Sequence, residues 1–417
     1  MKSEFKKIAV IGLGYIGLPT AAVFASRKRE VLGVDVNESA VNTINKGEIH
    51  IVEPQLDIVV RAAVSEGYLS ASLNPEPADA FIIAVPTPFL EDHKPDISYI
   101  ISASKAIAPH LKSGNLVVLE STSPVGSTNE MCQILSECRP DLNFPDQNGN
   151  ESDIRVAHCP ERVLPGHVLR ELVQNDRVIG GISPKCTEAA IDLYKIFVSG
   201  ECIATDAKTA EMCKLTENAC RDVQIAFANE LSMICDKNNI NVWELIKLAN
   251  RHPRINILQP GPGVGGHCIA VDPWFIVSAD PSLSNLIRSA RMVNDSKPQW
   301  VIKKVKEQAK FIEKSTTCVA CLGLSFKADI DDLRESPALQ ITLELNSQEN
   351  LEVWAVEPNI EATHSACKGL RLAQLDEAID SADIILILVD HKEFSVVGRK
   401  LETKDKIIID TRGITSG

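Results

Sequence analysis

The sequence predicts an α/β protein with two Rossmann-like, doubly wound parallel-sheet domains joined by a central helical region. Three features point to it. Apolar, β-branched runs alternate with helical runs up to about Thr205. From Ala207 the chain turns helical, starting with a long stretch that contains neither glycine nor proline. Near Thr317 the strand rhythm returns. Alternation of strand and helix favours a parallel sheet covered by helices, and uninterrupted helical periodicity favours a separate helical segment. The expected domains are 1–205, 206–312 and 313–417.

The elements follow in order. "KIAVIGLG" reads as a strand ending in glycine, "PTAAVFASRK" as a helix and "EVLGVDV" as a second strand. "ADAFIIAVPTP", "NLVVLEST", "IRVAHCPER" and "DRVIGG" are further strands, and "PDQNGNES" (Pro145–Ser152) reads as a surface loop. In the middle, "AKTAEMCKLTENACRDVQIAFANELSMICDKNN", "VWELIKLAN" and "LIRSARMVNDSKPQWVIKKVKEQAKFIEK" are helical. The last third supplies the strands "TTCVACLGLSFK", "LEVWAVEP", "ADIILILVD" and "KIIIDTRG".

A chain of 417 residues with 44% hydrophobic and 24% charged residues has ordinary globular composition. Its net charge of -13 argues against nucleic acid or an anionic membrane as a partner, since both demand a basic face. No apolar run reaches the length of a membrane span, and the amino-terminal lead lacks a signal-peptide pattern, so the expected location is the cytoplasm. The 12 cysteines are scattered through apolar segments and read as buried small hydrophobes. Cys318 and Cys321 form a lone CxxC with no second pair at metal spacing, so no metal site is expected.

"GLGYIG" sets Gly12, Gly14 and Gly17 between a strand and a helix. Glycines there permit a tight turn and close approach of backbone to a pyrophosphate, and the helix N-terminus offers unpaired N–H groups. Tyr15 and Ile16 would face the pyrophosphate through their backbone. Asp35, ending the second strand, can accept from a ribose 2′-hydroxyl and would repel a 2′-phosphate, which selects NAD over NADP. Thr87, Thr122 and Thr128 follow later strands, on the side of a parallel sheet where ligands bind.

Lys214, Asn218 and Arg221 share one helix face, although Glu211 and Glu217 could pair with such cations on an ordinary solvated surface. Farther on, "PGPGVGGHCIAVDPW" presents Cys268 behind a run of glycines that would let a bulky ligand approach. Asp272 and Pro273 suit the N-cap and first position of a helix, and a thiol near a helix N-terminus gains thiolate character. His267 would complete a Cys–His pair, but neighbouring side chains tend to diverge, which favours reading it as a bystander.

Taken in order, "VIGLGYIGLPTA", "STSPVGST", "CPERVLPG", "AEMCKLTENACRDV", "GVGGHCIAVDP" and "LGLSFKADIDDLRESPA" resemble the UDP-glucose/GDP-mannose dehydrogenase family along nearly the whole chain. "GEIHIVEP", "NDRVIGG" and "NRHPRINILQPGPGVGGHC" resemble most the bacterial branch that oxidises UDP-N-acetyl-D-mannosamine. The resemblance implies an NAD-binding domain over 1–205, a dimer-forming helical region over 206–312 and a UDP-sugar-binding domain over 313–417. It implies a four-electron oxidation at C6 using two NAD, with Cys268 carrying a thiohemiacetal and then a thioester. Lys214 then handles a proton or stabilises an oxyanion, Asn218 and Asp272 hold water and oxyanion, and Glu161 and Thr122 serve acid–base work and water placement. Arg162, Val163, Lys214, Asn218, Arg221, His252, Arg254, Gly265, Phe326 and Lys327 would line the nucleotide-sugar site, with Arg254 donated across a homodimer. Arg334 would contact NAD. Pro165 and Val271 stand where the UDP-glucose branch has a glutamate and a lysine, which speaks against glucose. The same chemistry on the N-acetylglucosamine or N-acetylgalactosamine epimer is an alternative. A two-electron β-hydroxyacid dehydrogenase, which needs no thiol, and a non-enzymatic nucleotide-sensing Rossmann protein are the others.

Overall fold

A computed structural model describes residues 5–90, 93–164, 166–360, 364–397 and 406–415; Pro165 lies outside them. The chain divides into two compact units, Met1–Glu217 and Asn218–Gly417.

The first unit is built on strands β1 (Lys7–Ile11), β2 (Glu30–Val34), β3 (Leu69–Ser72), β4 (Ala80–Ile83), β5 (Leu116–Leu119), β6 (Arg155–His158), β7 (Arg177–Gly181) and β8 (Cys202–Asp206). They form one sheet in the order β3-β2-β1-β4-β5-β6-β7-β8. Winding reverses between β1 and β4, so the crevice beyond their carboxyl ends is the place for a ligand. The sheet is not wholly parallel as the sequence predicts. β7 pairs antiparallel with β6, through Ala157 with Gly181 and His158 with Gly180, and β8 runs parallel to β7. Antiparallel neighbours need no crossover connection, and the apolar character of a buried strand is the same in either direction.

Alternation along the strands sends side chains into two cores. Ile8 and Val10 join Leu18, Phe24 and Tyr194 on one face, while Ala9 and Ile11 join Phe81, Ile107 and Met131 on the other. The segment expected as a loop at Pro145–Ser152 contains a short helix, Pro145–Asn148, and a 3-10 turn, Gly149–Glu151. Proline at the first helical position presets the backbone there.

The second unit takes in the carboxyl-terminal part of helix Ala207–Lys237, then helices Val242–Ala249, Asp272–Ala279 and Asn285–Ala309. Its strands β9 (Thr317–Leu322), β10 (Leu351–Val356), β11 (Arg371–Leu372), β12 (Ile384–Ile387) and β13 (Ile407–Asp410) form a parallel sheet ordered β11-β10-β9-β12-β13. The end of helix Asn285–Ala309 belongs to this sheet's core, where Val301, Ile302 and Val305 pack with Val319, Cys321, Ile384 and Leu386. Cys321 is fully buried in β9, and burial pushes its thiol up to about 12, which fits a structural cysteine.

Both sheets tether the turn after their first strand in the same way. Gly12 (φ +92°) donates to Val34 O, and Leu13 N donates to the Asp35 carboxylate at 2.8 Å. Gly323 (φ +93°) donates to Val356 O, and Leu324 N donates to the Glu357 carboxylate at 2.7 Å. In each case the carboxylate at the end of the neighbouring strand satisfies N–H groups that the turn leaves without a backbone partner.

Candidate active site

The glycine motif lies at the β1–β4 switch point. A Cβ on Gly12 would come 2.6 Å from Ala84 O, and one on Gly17 would come 1.8 Å from Gly12 O, so packing of the turn itself requires both glycines. Gly14 differs: nothing lies within 4 Å of where its Cβ would be. That open backbone is what a pyrophosphate needs for close approach. Tyr15 is exposed beside it, and Asp35 accepts from Leu13 N and Asn37 N, each at 2.8 Å. A dinucleotide fits this set of residues.

Thr87, beyond β4, donates its hydroxyl to Thr122 O, which ties together the loops following β4 and β5. Thr128 is fully buried, and both its backbone N (2.7 Å) and its hydroxyl (2.6 Å) donate to Glu211, which also accepts from Gly126 N at 2.6 Å. Glu211 is thus a buried anchor for the "SPVGST" turn, not a solvated surface charge. Burial raises its pKa against the opposing effect of Thr128 and Gly126. Glu217 is also engaged, in an ion pair with Arg162 at 2.7 Å. Neither acid provides the simple surface pairing that was the alternative for Lys214, Asn218 and Arg221.

Glu161 is buried, with one carboxylate oxygen accepting from Arg162 N at 2.6 Å and the other from the Arg177 guanidinium at 3.0 Å. Arg177 also faces Glu120 at 3.5 Å and lies over the ring of Tyr194, 4.9 Å from its centroid. Glu120 is fully enclosed and accepts from Tyr194 (3.0 Å) and Thr20 (3.2 Å). Burial pushes its carboxyl up to about 7, with Arg177 opposing and Glu161 reinforcing the shift. Two buried carboxylates share one cation, so one of them holds a proton more readily. The sequence reading missed Glu120 and Arg177. The signal available was a charged residue at the edge of each of two apolar strands, Glu120 just after β5 and Arg177 first in β7.

In the second unit, Asn218 donates to the carboxylate of Asp272, which is 3% exposed. Asp272 is therefore not the expected cap. It is the first residue of helix Asp272–Ala279, the N-cap is Val271, and no side chain caps the helix. The loop carrying Cys268 is fixed at its start by Gly261 N donating to Asn229 at 2.9 Å. Asn229 donates in turn to Asn294, and Asn294 donates to Asp222, which forms a buried ion pair with Arg291.

The glycines before the cysteine make room for protein atoms. A Cβ on Gly265 would come 2.4 Å from Glu335 O and 3.0 Å from Phe326 Cβ, and one on Gly266 would come 3.0 Å from the Phe326 ring. Phe326, itself a predicted substrate contact, packs on the side of these glycines where a Cβ would stand. His267 is a further departure. Its Nδ1 lies 2.9 Å from Cys268 Sγ, so the two neighbouring side chains converge. Gly266 has φ +80°, and Cys268 O accepts from Val271 N and Asp272 N. The pair thus sits in a turn, and the alternation of an extended strand does not apply.

Among the other predicted contacts, Lys214 is half-buried, and Arg221, His252, Arg254 and Lys327 are exposed. Arg254 N donates to His252 Nδ1 at 3.3 Å. Val163 packs against the first unit's core. Arg334 forms a forked pair with Asp332, its shortest contact 2.6 Å.

Models of this family match the chain in three consecutive blocks: the NAD binding domain over 6–198, the central domain over 208–296 and the UDP binding domain over 320–417. The chain belongs to the UDP-glucose/GDP-mannose dehydrogenase family. It is 64% identical over 99% of its length to the NDP-N-acetyl-D-galactosaminuronic acid dehydrogenase of Ralstonia nicotianae, covering 97% of that protein. It is 60% identical, over 99% of both chains, to the UDP-N-acetyl-D-mannosamine dehydrogenase of Yersinia pestis. Among solved structures, the UDP-D-ManNAc dehydrogenase of Pyrococcus horikoshii superposes with a TM-score of 0.88 at 39% identity, covering 98% of this chain and 96% of that one. As a member of this dehydrogenase family the protein is an NAD-dependent oxidoreductase, which sets aside a non-enzymatic nucleotide sensor.

Two outcomes follow for the first unit. Gly14→Ala should leave thermal stability nearly unchanged but weaken NAD binding at least about tenfold, since the added methyl meets no protein atom. Calorimetric titration with NAD, beside a thermal melt, checks this. The second concerns pH. Glu120 binds its proton more tightly when folded (about 7) than its usual value of 4.5. Its stabilising contribution is therefore complete below about pH 4.5 and is lost as pH rises through 7. Urea unfolding should show Glu120→Gln gaining on the native protein by on the order of 2 kcal/mol between pH 5 and 8. A difference independent of pH contradicts it.

Proposed function

We propose that the protein oxidises the C6 alcohol of UDP-N-acetyl-D-mannosamine to the carboxylate, consuming two NAD and one water and supplying a precursor of cell-surface polysaccharide. The match along the whole chain to the Yersinia pestis enzyme carries this reading. A two-electron β-hydroxyacid dehydrogenase leaves unexplained a thiol held beside an imidazole in the family's central domain.

Bound NAD supplies a hydride acceptor at each oxidation; Gly12, Gly14, Tyr15, Ile16, Gly17, Asp35, Thr87 and Thr128 would hold it, with Arg334. Lys214 moves the proton of the C6 hydroxyl as the alcohol becomes an aldehyde. Cys268 Sγ adds to that aldehyde, and oxidation of the thiohemiacetal leaves a thioester that water cleaves. The covalent bond also keeps the aldehyde from escaping. Asn218 and Asp272 orient the water and stabilise the oxyanion, a role supported by their mutual hydrogen bond and the burial of Asp272. Glu161 serves the acid–base work and Thr122 helps place the water, with both Glu161 oxygens accepting hydrogen bonds that hold the carboxyl group in position. Arg162, Val163, Arg221, His252, Gly265, Phe326 and Lys327 contribute to the nucleotide-sugar site, with Arg254 reaching the partner's site in a cytoplasmic homodimer. Phe227 and Ile234, 56% and 50% exposed and two turns apart on one helix, support such a dimer.

A second reading keeps the chemistry and changes the epimer. The 64% identity to a protein named for N-acetyl-D-galactosaminuronic acid favours a galactosamine substrate. Comparing kcat/KM on UDP-N-acetyl-D-mannosamine and UDP-N-acetyl-D-galactosamine separates the two: the proposal expects the manno epimer to be preferred by at least about tenfold. On the preferred sugar, NADH should form at two per sugar, and Cys268→Ala should make no carboxylate. One NADH per sugar, or carboxylate formed without the thiol, contradicts the mechanism.

A further inference from the structure

We propose that His267 is a catalytic residue, the proton acceptor and donor for the Cys268 thiol. The proposal rests on the nucleophilic role of Cys268 given above and adds the group that activates it. The observation is geometric: Nδ1 of His267 lies 2.9 Å from Sγ, within direct proton-transfer reach. The contact is built by the local backbone. Gly266, at φ +80°, turns the chain immediately before the pair, and the Cys268 carbonyl begins the turn into helix Asp272–Ala279. His267 is exposed and Cys268 half-buried, so the imidazole can exchange protons with solvent while the sulfur stays sheltered.

The charged groups of this unit near the pair are consistent with the role. Asp332 lies near enough to His267 for the two to interact electrostatically, and Arg334 is paired with Asp332. A carboxylate there favours the imidazolium that proton transfer creates. Asp272, four residues along, is the nearest acid in sequence, and its carboxylate accepts from Asn218.

The step balances without an added reagent. The S–H proton passes to Nδ1. The sulfur electron pair forms the C–S bond to the aldehyde carbon, and the carbonyl π pair moves to oxygen. The imidazolium then returns the proton to that oxygen, giving the thiohemiacetal and a neutral imidazole. The addition itself oxidises nothing; the next two-electron step is the one already proposed. In hydrolysis His267 takes a proton from the attacking water. The C–O bond forms, the C–S bond breaks, and the proton goes to the departing sulfur.

The test uses the full-length protein without substrate. Iodoacetamide alkylation is followed by mass spectrometry of the peptide carrying Cys268, across about pH 6 to 10. His267→Gln should slow alkylation at Cys268 about tenfold near pH 7, and the gap should close above about pH 9, where the thiol ionises unaided. Alkylation at Cys220, which is exposed on the long helix, should be unchanged and so report an intact fold. Added imidazole should restore part of the lost rate at Cys268. In turnover the variant should still make the first NADH and release aldehyde that semicarbazide traps. Equal Cys268 rates in the two proteins at every pH overturn the proposal. If Cys268→Ala still yields two NADH per sugar, the nucleophile reading fails first. If Cys268→Ala is inactive while His267→Gln behaves as native, only the role of His267 fails.

Discussion

The second unit depends on the contact between Phe326 and the backbone of Gly265 and Gly266. Any side chain at either glycine would displace that ring or the carbonyl of Glu335. Two loops distant in sequence therefore form one packed block: the loop that ends at Cys268 and the loop after β9. The thiol's position follows from how the carboxyl-terminal sheet sets Phe326, and that sheet in turn tethers its loop through Glu357. The glycine run in "PGPGVGGHC" thus serves close packing of protein on protein. It also provides the turn that brings His267 to Cys268.

The first unit solves a different problem. Glu161 is buried, and an isolated charge there would be costly. Arg177 supplies the countercharge, Glu120 shares it, and Tyr194 covers the group from above the guanidinium. Because all three charged groups are buried, solvent screens them little, and changing one redistributes charge over the others. The chain as a whole is acidic, but charge balance at this spot is local.

Much of this was legible in the sequence. Strand and helix order and the role of the glycine turn follow from periodicity and spacing, carried by residues close together in the chain, and the grouping of Asn218 with Asp272 follows from motif resemblance. The rest depends on contacts between distant segments. The direction of β7 was hidden because a buried strand is apolar whichever way it runs. Glu211 looked like a surface acid because a helix face does not reveal what packs on it; Thr128, 83 positions away, does. Asp272 looked like a cap because Asp before Pro is a good cap, yet its carboxylate turns to Asn218. Neighbouring side chains diverge in extended chain, and the turn at Gly266 suspends that rule for His267 and Cys268.

The proposed route requires Cys268 to become covalently acylated during turnover. The most direct measurement is rapid acid quenching of a single turnover, followed by mass spectrometry of the peptide carrying Cys268. A sugar-nucleotide acyl adduct on that peptide, rising before the free carboxylate appears and absent without NAD, is the predicted result. Carboxylate that accumulates while the Cys268 peptide stays unmodified at every time point would contradict the account.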